Sequence, residues 1–165
     1  MGIWQLGRAQ EKELALTLHA HQLAQPVGGW STLTPKANRY HMVQLKGQYL
    51  SGNHWLLDNQ IHKGRFGYTV YTPFCGESRC ILVDRGWIKG DLDRNQLPVI
   101  DHVAGTVILA GRIDKISLNP AIGENEPLVS SPYRVQQIDL KLVNDKLTGS
   151  RALLGIVDSV GSLAN

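Results

Sequence analysis

Residues 66–89 read FGYTVYTPFCGESRCILVDRGWIK, and this stretch decides the fold. Tyr68, Val70 and Thr72 alternate with Thr69, Tyr71 and Pro73, the period-2 pattern of a strand with two different faces. Ile81, Leu82 and Val83 form a dense apolar run suited to a buried strand. Gly76-Glu77-Ser78-Arg79 lies between them with a glycine to make the turn, so the pattern predicts a hairpin. The hairpin ends in Asp84-Arg85-Gly86-Trp87. That tip sets a permanent charge, a close-approach backbone point and a large amphipathic ring together at a sheet rim. Two readings stay open. In one, Arg85 and Trp87, with Asp84, Gly86 and Tyr68, form a contact surface. In the other, Trp87 fills the core and Arg85 pairs with a carboxylate such as Asp84 or Asp91.

Working outward, Tyr40–Leu50 is a strand, with Val43 and Leu45 set against Gln44 and Lys46, and His54–Ile61 is the next. Ser51-Gly52-Asn53 and Lys63-Gly64-Arg65 turn the chain between them. Four consecutive strands with short turns predict an antiparallel meander. Thr106–Ile113 is a fifth strand beyond a polar loop at 90–104, and Ala152–Val157 is a short buried strand. Gln136–Leu147 reads as a helix, although Ile138, Leu140 and Leu142 also fit an extended pattern. At the other end, Leu6–Gln25 reads as a helix with two apolar patches, closed by Pro26 and Gly28-Gly29. The expected fold class is therefore α+β: an N-terminal helix packed on an antiparallel, mostly meander sheet that can curl into a partly open barrel.

Composition bounds the partners. A chain of 165 residues, 42% hydrophobic and 19% charged, is the size of one domain with a proper core. The net charge of +3 comes from scattered Lys and Arg, which argues against nucleic acid as a partner. No apolar run of about 18 residues exists, so no segment spans a bilayer as a helix. Cys75 and Cys80 flank the hairpin turn and are either a disulfide across it or two unrelated thiols. Their spacing is poor for a metal, and His19, His21, His41, His54, His62 and His102 show no ligating pattern, so no metal site is expected. His54, beside Trp55, is the histidine best placed to line a porphyrin edge. Hydrolytic motifs are absent and no catalytic residue is assigned.

Four groups of residues, in order, carry a resemblance. They are Gly2-Ile3-Trp4-Gln5-Leu6-Gly7-Arg8 with Lys12; Gly47-Gln48-Tyr49; Leu57-Asp58-Asn59 ahead of Gly64; and Gly67-Tyr68-Thr69-Val70 with Thr72-Pro73 and Leu82-Val83-Asp84-Arg85-Gly86-Trp87. Together they resemble the surfeit-locus cytochrome c oxidase assembly family, with Asp84 standing where the family more often has Asn. The resemblance implies a membrane helix at each end of the full-length protein, so residues 1–165 are expected to be a single soluble domain excised from between them. It places that domain on the periplasmic side of a bacterial inner membrane. It implies a non-enzymatic factor that supports haem insertion, with the oxidase catalytic subunit and haem-synthesis proteins as partners. No cofactor is expected on this domain alone, and haem a is the candidate cofactor of the full-length protein. Trp4, Gln5, Arg8 and Lys12 become the membrane juncture, and Arg85 becomes a partner or haem-propionate contact.

Two rivals rest on other residues. A small barrel could bind oligonucleotide or oligosaccharide by stacking on Trp30, Trp55, Tyr40 and Tyr49. A thiol-redox protein would use Cys75 and Cys80.

Overall fold

The computed structural model describes residues 26–34, 40–50, 52–114, 118–122, 128, 130–147 and, for backbone only, 153–159. The expected helix at 6–25 and the juncture residues Trp4, Gln5, Arg8 and Lys12 lie outside the described residues. Among those described, the strands are β1 (Met42–Tyr49), β2 (Trp55–His62), β3 (Arg65–Gly76), β4 (Arg79–Lys89), β5 (Val107–Asp114), β6 (Tyr133–Val135) and β7 (Leu153–Ser159). They form one sheet in the order β1-β5-β7-β4-β3-β2-β6. A seven-residue helix, α1 (Leu140–Lys146), starts where the Asp139 carboxylate accepts the Lys141 N–H at 3.0 Å.

The meander holds for β2, β3 and β4 but not for β1. That strand pairs with β5 along six residues and reaches β3 only at its end, through Gln48 opposite Cys75 and Tyr49 opposite Phe74. The sheet therefore curls into a trough and stays open. It is also not purely antiparallel. The C-terminal strand β7 inserts between β4 and β5 and runs parallel to β4, and β6 runs parallel to β2.

Both faces of the central hairpin are covered. On the inner face Phe74, Ile81 and Val83 pack with Trp30, Val43, Leu45 and Leu109. Nearer the other end, Tyr68, Val70 and Leu56 pack with Ile88, Leu97 and Ile100. On the outer face Tyr71, Leu82 and Trp55 are covered by Val135 of β6, Ile138 of the segment that follows it and Val143 of α1. Each such side chain contributes on the order of 1.5–3 kcal/mol when buried. This double cover explains the unbroken buried run from Val70 to Cys75, which alternation alone does not anticipate.

Two close approaches fix the curl. A Cβ on Gly47 would overlap the Cys75 carbonyl, so only glycine lets β1 cross onto β3 there. Cys75 and Cys80 stand opposite each other across the β3–β4 turn, Cα atoms 4.1 Å apart, and are joined by a disulfide.

Gly47→Ala is expected to destabilise the domain by about 1–3 kcal/mol in urea unfolding. The same change at Gly29, where nothing lies within 4 Å of the new methyl, should cost less than about 0.5 kcal/mol. Equal effects at the two positions would remove the close-approach argument. For the disulfide, alkylation of the unreduced protein should find no reactive thiol. Its short loop predicts that Cys75→Ser with Cys80→Ser lowers stability by about 2 kcal/mol.

Candidate functional site

The sequence places Arg85 at a rim, and the structure places it inside: its side chain is only 5% exposed. The reason is strand length. β4 runs on to Lys89, so Arg85 lies within the strand, and its period-2 parity puts it on the inner face with Ile81 and Val83. It is also the extra residue of a bulge. Val70 faces Gly86 and Tyr71 faces Asp84, which leaves Arg85 without a partner in register. Gly86 takes φ +104°, and its N–H donates to the Asp84 carboxylate at 2.9 Å.

Arg85 enters a polar layer between two apolar ones. On the inner face of β3, Thr72 falls between Val70 of one cluster and Phe74 of the other. Arg85 Nη1 donates to the Thr72 hydroxyl at 3.4 Å. Both Nη1 and Nη2 lie 3.5 Å from the Asp101 carbonyl of the long loop before β5. The guanidinium carbon sits 5.0 Å from the centre of the Tyr49 ring, a cation–π contact. Thr72 Oγ1 is also hydrogen-bonded to His54 Nδ1 at 2.9 Å. His54 is held in place by its own backbone, whose N–H donates to Ser131 Oγ and whose carbonyl accepts the Tyr133 N–H.

The electrostatics of the layer lean positive. Burial, then the charges of Arg85 and His102, push the His54 imidazole pKa below its ordinary 6.5. Burial also lowers Arg85, against the opposing pull of Tyr49 and Asp101, and raises the Tyr49 phenol. Arg85 stays charged throughout, because a guanidinium holds its proton far more tightly than any other side chain.

The other expected contact residues divide. Tyr68 is fully buried, and its hydroxyl has no hydrogen-bond partner among the described residues. Trp87 is half-buried: its Nε1 donates to the Gln60 carbonyl at 2.7 Å, and its ring lies 5.1 Å from that of His62. Gly67 makes room for it, since a Cβ there would overlap the indole. Asp84 serves the bulge. Of the stacking platforms, Trp30 and Trp55 are buried, which corrects their expected exposure. His54 was legible only as a neighbour of Trp55, and Thr72 only as part of the strand pattern and the Thr72-Pro73 motif; Asp101 and His102 carried no signal of a site. Among the described residues, no group of three or more His, Cys, Asp or Glu could hold a metal.

A second bulge, in β2, governs the start of the loop. Between Leu57 and Gln60 the register slips, Asn59 adopts φ +60°, and Asp58 turns inward. Asp58 accepts Arg94 Nη2 at 2.6 Å and Gln136 Nε2 at 3.1 Å. The following turn leaves Leu92 and Val99 almost wholly exposed beside a groove of about 570 Å³ lined by Lys89, Gly90 and Leu97. Ile61, on the adjoining hairpin, is exposed as well.

The depressed His54 pKa fixes a pH dependence. The unfolded chain titrates near 6.5 and binds the proton more readily than the folded one. Stability is therefore full above about pH 6.5 and falls as pH drops through the lower folded value. Chemical unfolding at pH 7 and pH 5 should show this loss, and His54→Gln should flatten it. An unchanged slope in the variant would place the proton uptake elsewhere.

Comparison with known proteins agrees with the motif pattern. The SURF1 family model matches residues 1–161. A SURF1-like protein of Rickettsia felis is 33% identical over 100 residues, 59% of this chain and 42% of that protein. One of Rickettsia conorii is 33% identical over 92 residues, 54% of this chain and 38% of that protein. The matched stretches thus cover less than half of those relatives. The family match runs through both bulges and the Arg85 layer, and on it the chain belongs to the SURF1 family.

Proposed function

We infer that this chain is the outer-face domain of a cytochrome c oxidase assembly factor, a non-enzymatic module that supports haem insertion into the catalytic subunit. The observation that carries the reading is the family match over residues 1–161. In this reading the full-length protein sits in a bacterial inner membrane with this domain on the periplasmic side. Its partners are the catalytic subunit and the proteins that make haem, and haem a is cargo. No helix among the described residues is long and apolar enough to cross a membrane.

The docking surface shifts from where the sequence put it. Arg85 and Tyr68 are internal, whereas Ile61, Leu92 and Val99 are exposed on one contiguous end of the sheet, where the Gly90 N–H donates to the Phe66 carbonyl. Exposed apolar side chains around a groove that Lys89, Asp91 and Gln96 also line suit a protein partner. Of the stacking residues of the first rival, Trp30 and Trp55 are buried, and the cysteines of the second are joined in a disulfide.

The test is complementation. A strain lacking the full-length gene should lose haem a from its oxidase, read from reduced-minus-oxidised spectra, and the wild-type gene should restore it. Leu92→Asp with Val99→Asp should fail to restore it while leaving domain stability within about 0.5 kcal/mol, as surface changes do. Normal haem a in the deletion strain would end the assembly reading. Full restoration by the double variant would end the docking assignment alone.

A further inference from the structure

We propose that Arg85, Thr72 and His54 form an internal oxyanion site, closed by the Asp101 segment of the loop, whose ligand is a carboxylate. The inference deepens the haem reading, since propionates are carboxylates, but it rests on the geometry of this layer.

The guanidinium carries five N–H donors, and burial makes each unmet donor costly. Its partners among the described residues are two oxygens, Thr72 Oγ1 and the Asp101 carbonyl, at 3.4–3.5 Å. Those contacts are longer than an ordinary N–H···O bond of about 2.7–3.2 Å. No carboxylate among the described residues forms an ion pair with Arg85, although Asp58 holds Arg94 in that way. The one carboxylate felt by Arg85 among the described residues, that of Asp101, is exposed and makes no ion pair with it, so the removal of water from the guanidinium is poorly repaid.

The position of the Asp101 carbonyl is informative. One oxygen lies 3.5 Å from both terminal nitrogens and so sits astride the fork. A carboxylate uses that place with two oxygens, in two short, charge-assisted bonds. The carbonyl is thus a loose stand-in that a ligand can displace. The surroundings favour an anion. The Thr72 hydroxyl borders both Arg85 and His54. His54 Nε2 makes no hydrogen bond among the described residues, and His102 adds positive potential from the covering loop. Against these stands the carboxylate of Asp101, which is exposed.

The cover is built to move. Leu97 and Ile100 anchor the loop on the inner cluster, and Arg94 ties its start to Asp58. Beyond Ile100, residues Asp101, His102, Ala104, Gly105 and Thr106 are exposed. Val103 between them is half-buried, and the Thr106 hydroxyl accepts from Gln48 Nε2 at 3.2 Å, which ties the far end of the segment to β1. Lifting Asp101 and His102 between these ties gives up two long contacts to one carbonyl and opens the fork.

The experiment titrates the 165-residue protein with sodium propionate, with chloride at matched ionic strength as control, and follows the Arg85 Nε–Hε and backbone amides by NMR. A saturable shift confined to Arg85, Tyr49, Thr72 and residues 100–104 is expected. It should be lost in Arg85→Lys, which keeps the charge but not the fork. If Arg85→Lys does not fold, Thr72→Val serves instead, with affinity expected to fall about tenfold through loss of one hydrogen bond. Shifts that never saturate, or that chloride reproduces, overturn the site. Saturable binding of inorganic phosphate without binding of propionate overturns the carboxylate assignment. Affinity unchanged in Thr72→Val overturns the role of that hydroxyl. None of these results alters the haem a content of the oxidase in cells, so failure of this site and failure of the assembly reading are read separately.

Discussion

A guanidinium held inside a β-sheet is the constraint around which the inner face of this domain is arranged. It needs a bulge, so that Arg85 stands out of register while the strand continues. It needs a ring to lie against, which Tyr49 supplies, and that brings the end of β1 over β3. The crossing in turn needs Gly47, because any Cβ there meets the Cys75 carbonyl. The same contact region holds the disulfide and the Trp30 ring, whose Nε1 donates to the Lys46 carbonyl. The curl of the sheet and the environment of one charge are thus a single packing problem.

The two bulges act together on the loop between β4 and β5. In β2 the bulge turns Asp58 inward to hold Arg94, whose guanidinium also lies 4.5 Å from the centre of the Phe66 ring. In β4 the bulge presents Arg85 to the carbonyl of Asp101. The loop is therefore fixed at its start by a short ion pair with a buried carboxylate and held further on by long contacts to a neutral oxygen. An ion pair of that kind is hard to break, because breaking it strands a buried charge. The second contact exchanges easily for water or a ligand. The difference in bond type divides the loop into a fixed half and a movable half.

Much of this fold was written in local pattern. Alternation in β1 put Val43 and Leu45 inward, and the position of two cysteines around a four-residue turn was compatible with a bridge. The missing parts are those that depend on distant chain. β7 lies between β4 and β5, and β6 is a three-residue parallel addition to β2; nothing in either segment names its neighbour. The error over Arg85 has a different origin. An arginine beside a glycine looks like the end of a strand, because glycine usually ends one and charge usually seeks water. Here the glycine belongs to a bulge, the strand runs on to Lys89, and the parity of Ile81 and Val83 carries the charge inward. The pattern was legible; the extent of the strand was not.

The departure at Asp84 can be judged from the same geometry. The family more often has asparagine there, and an aspartate at an exposed rim would alter the charge met by a partner. In the bulge the residue has a local duty: its Oδ1 accepts the Gly86 N–H at 2.9 Å, which holds the glycine at the positive φ the bulge requires. An asparagine carbonyl oxygen accepts that hydrogen bond equally well, since both side chains present an oxygen at the same reach. What separates the two is charge, and Asp84 is half-buried immediately before Arg85 in the strand. The departure therefore leaves the bulge as it is: aspartate and asparagine alike supply the oxygen that the Gly86 N–H needs.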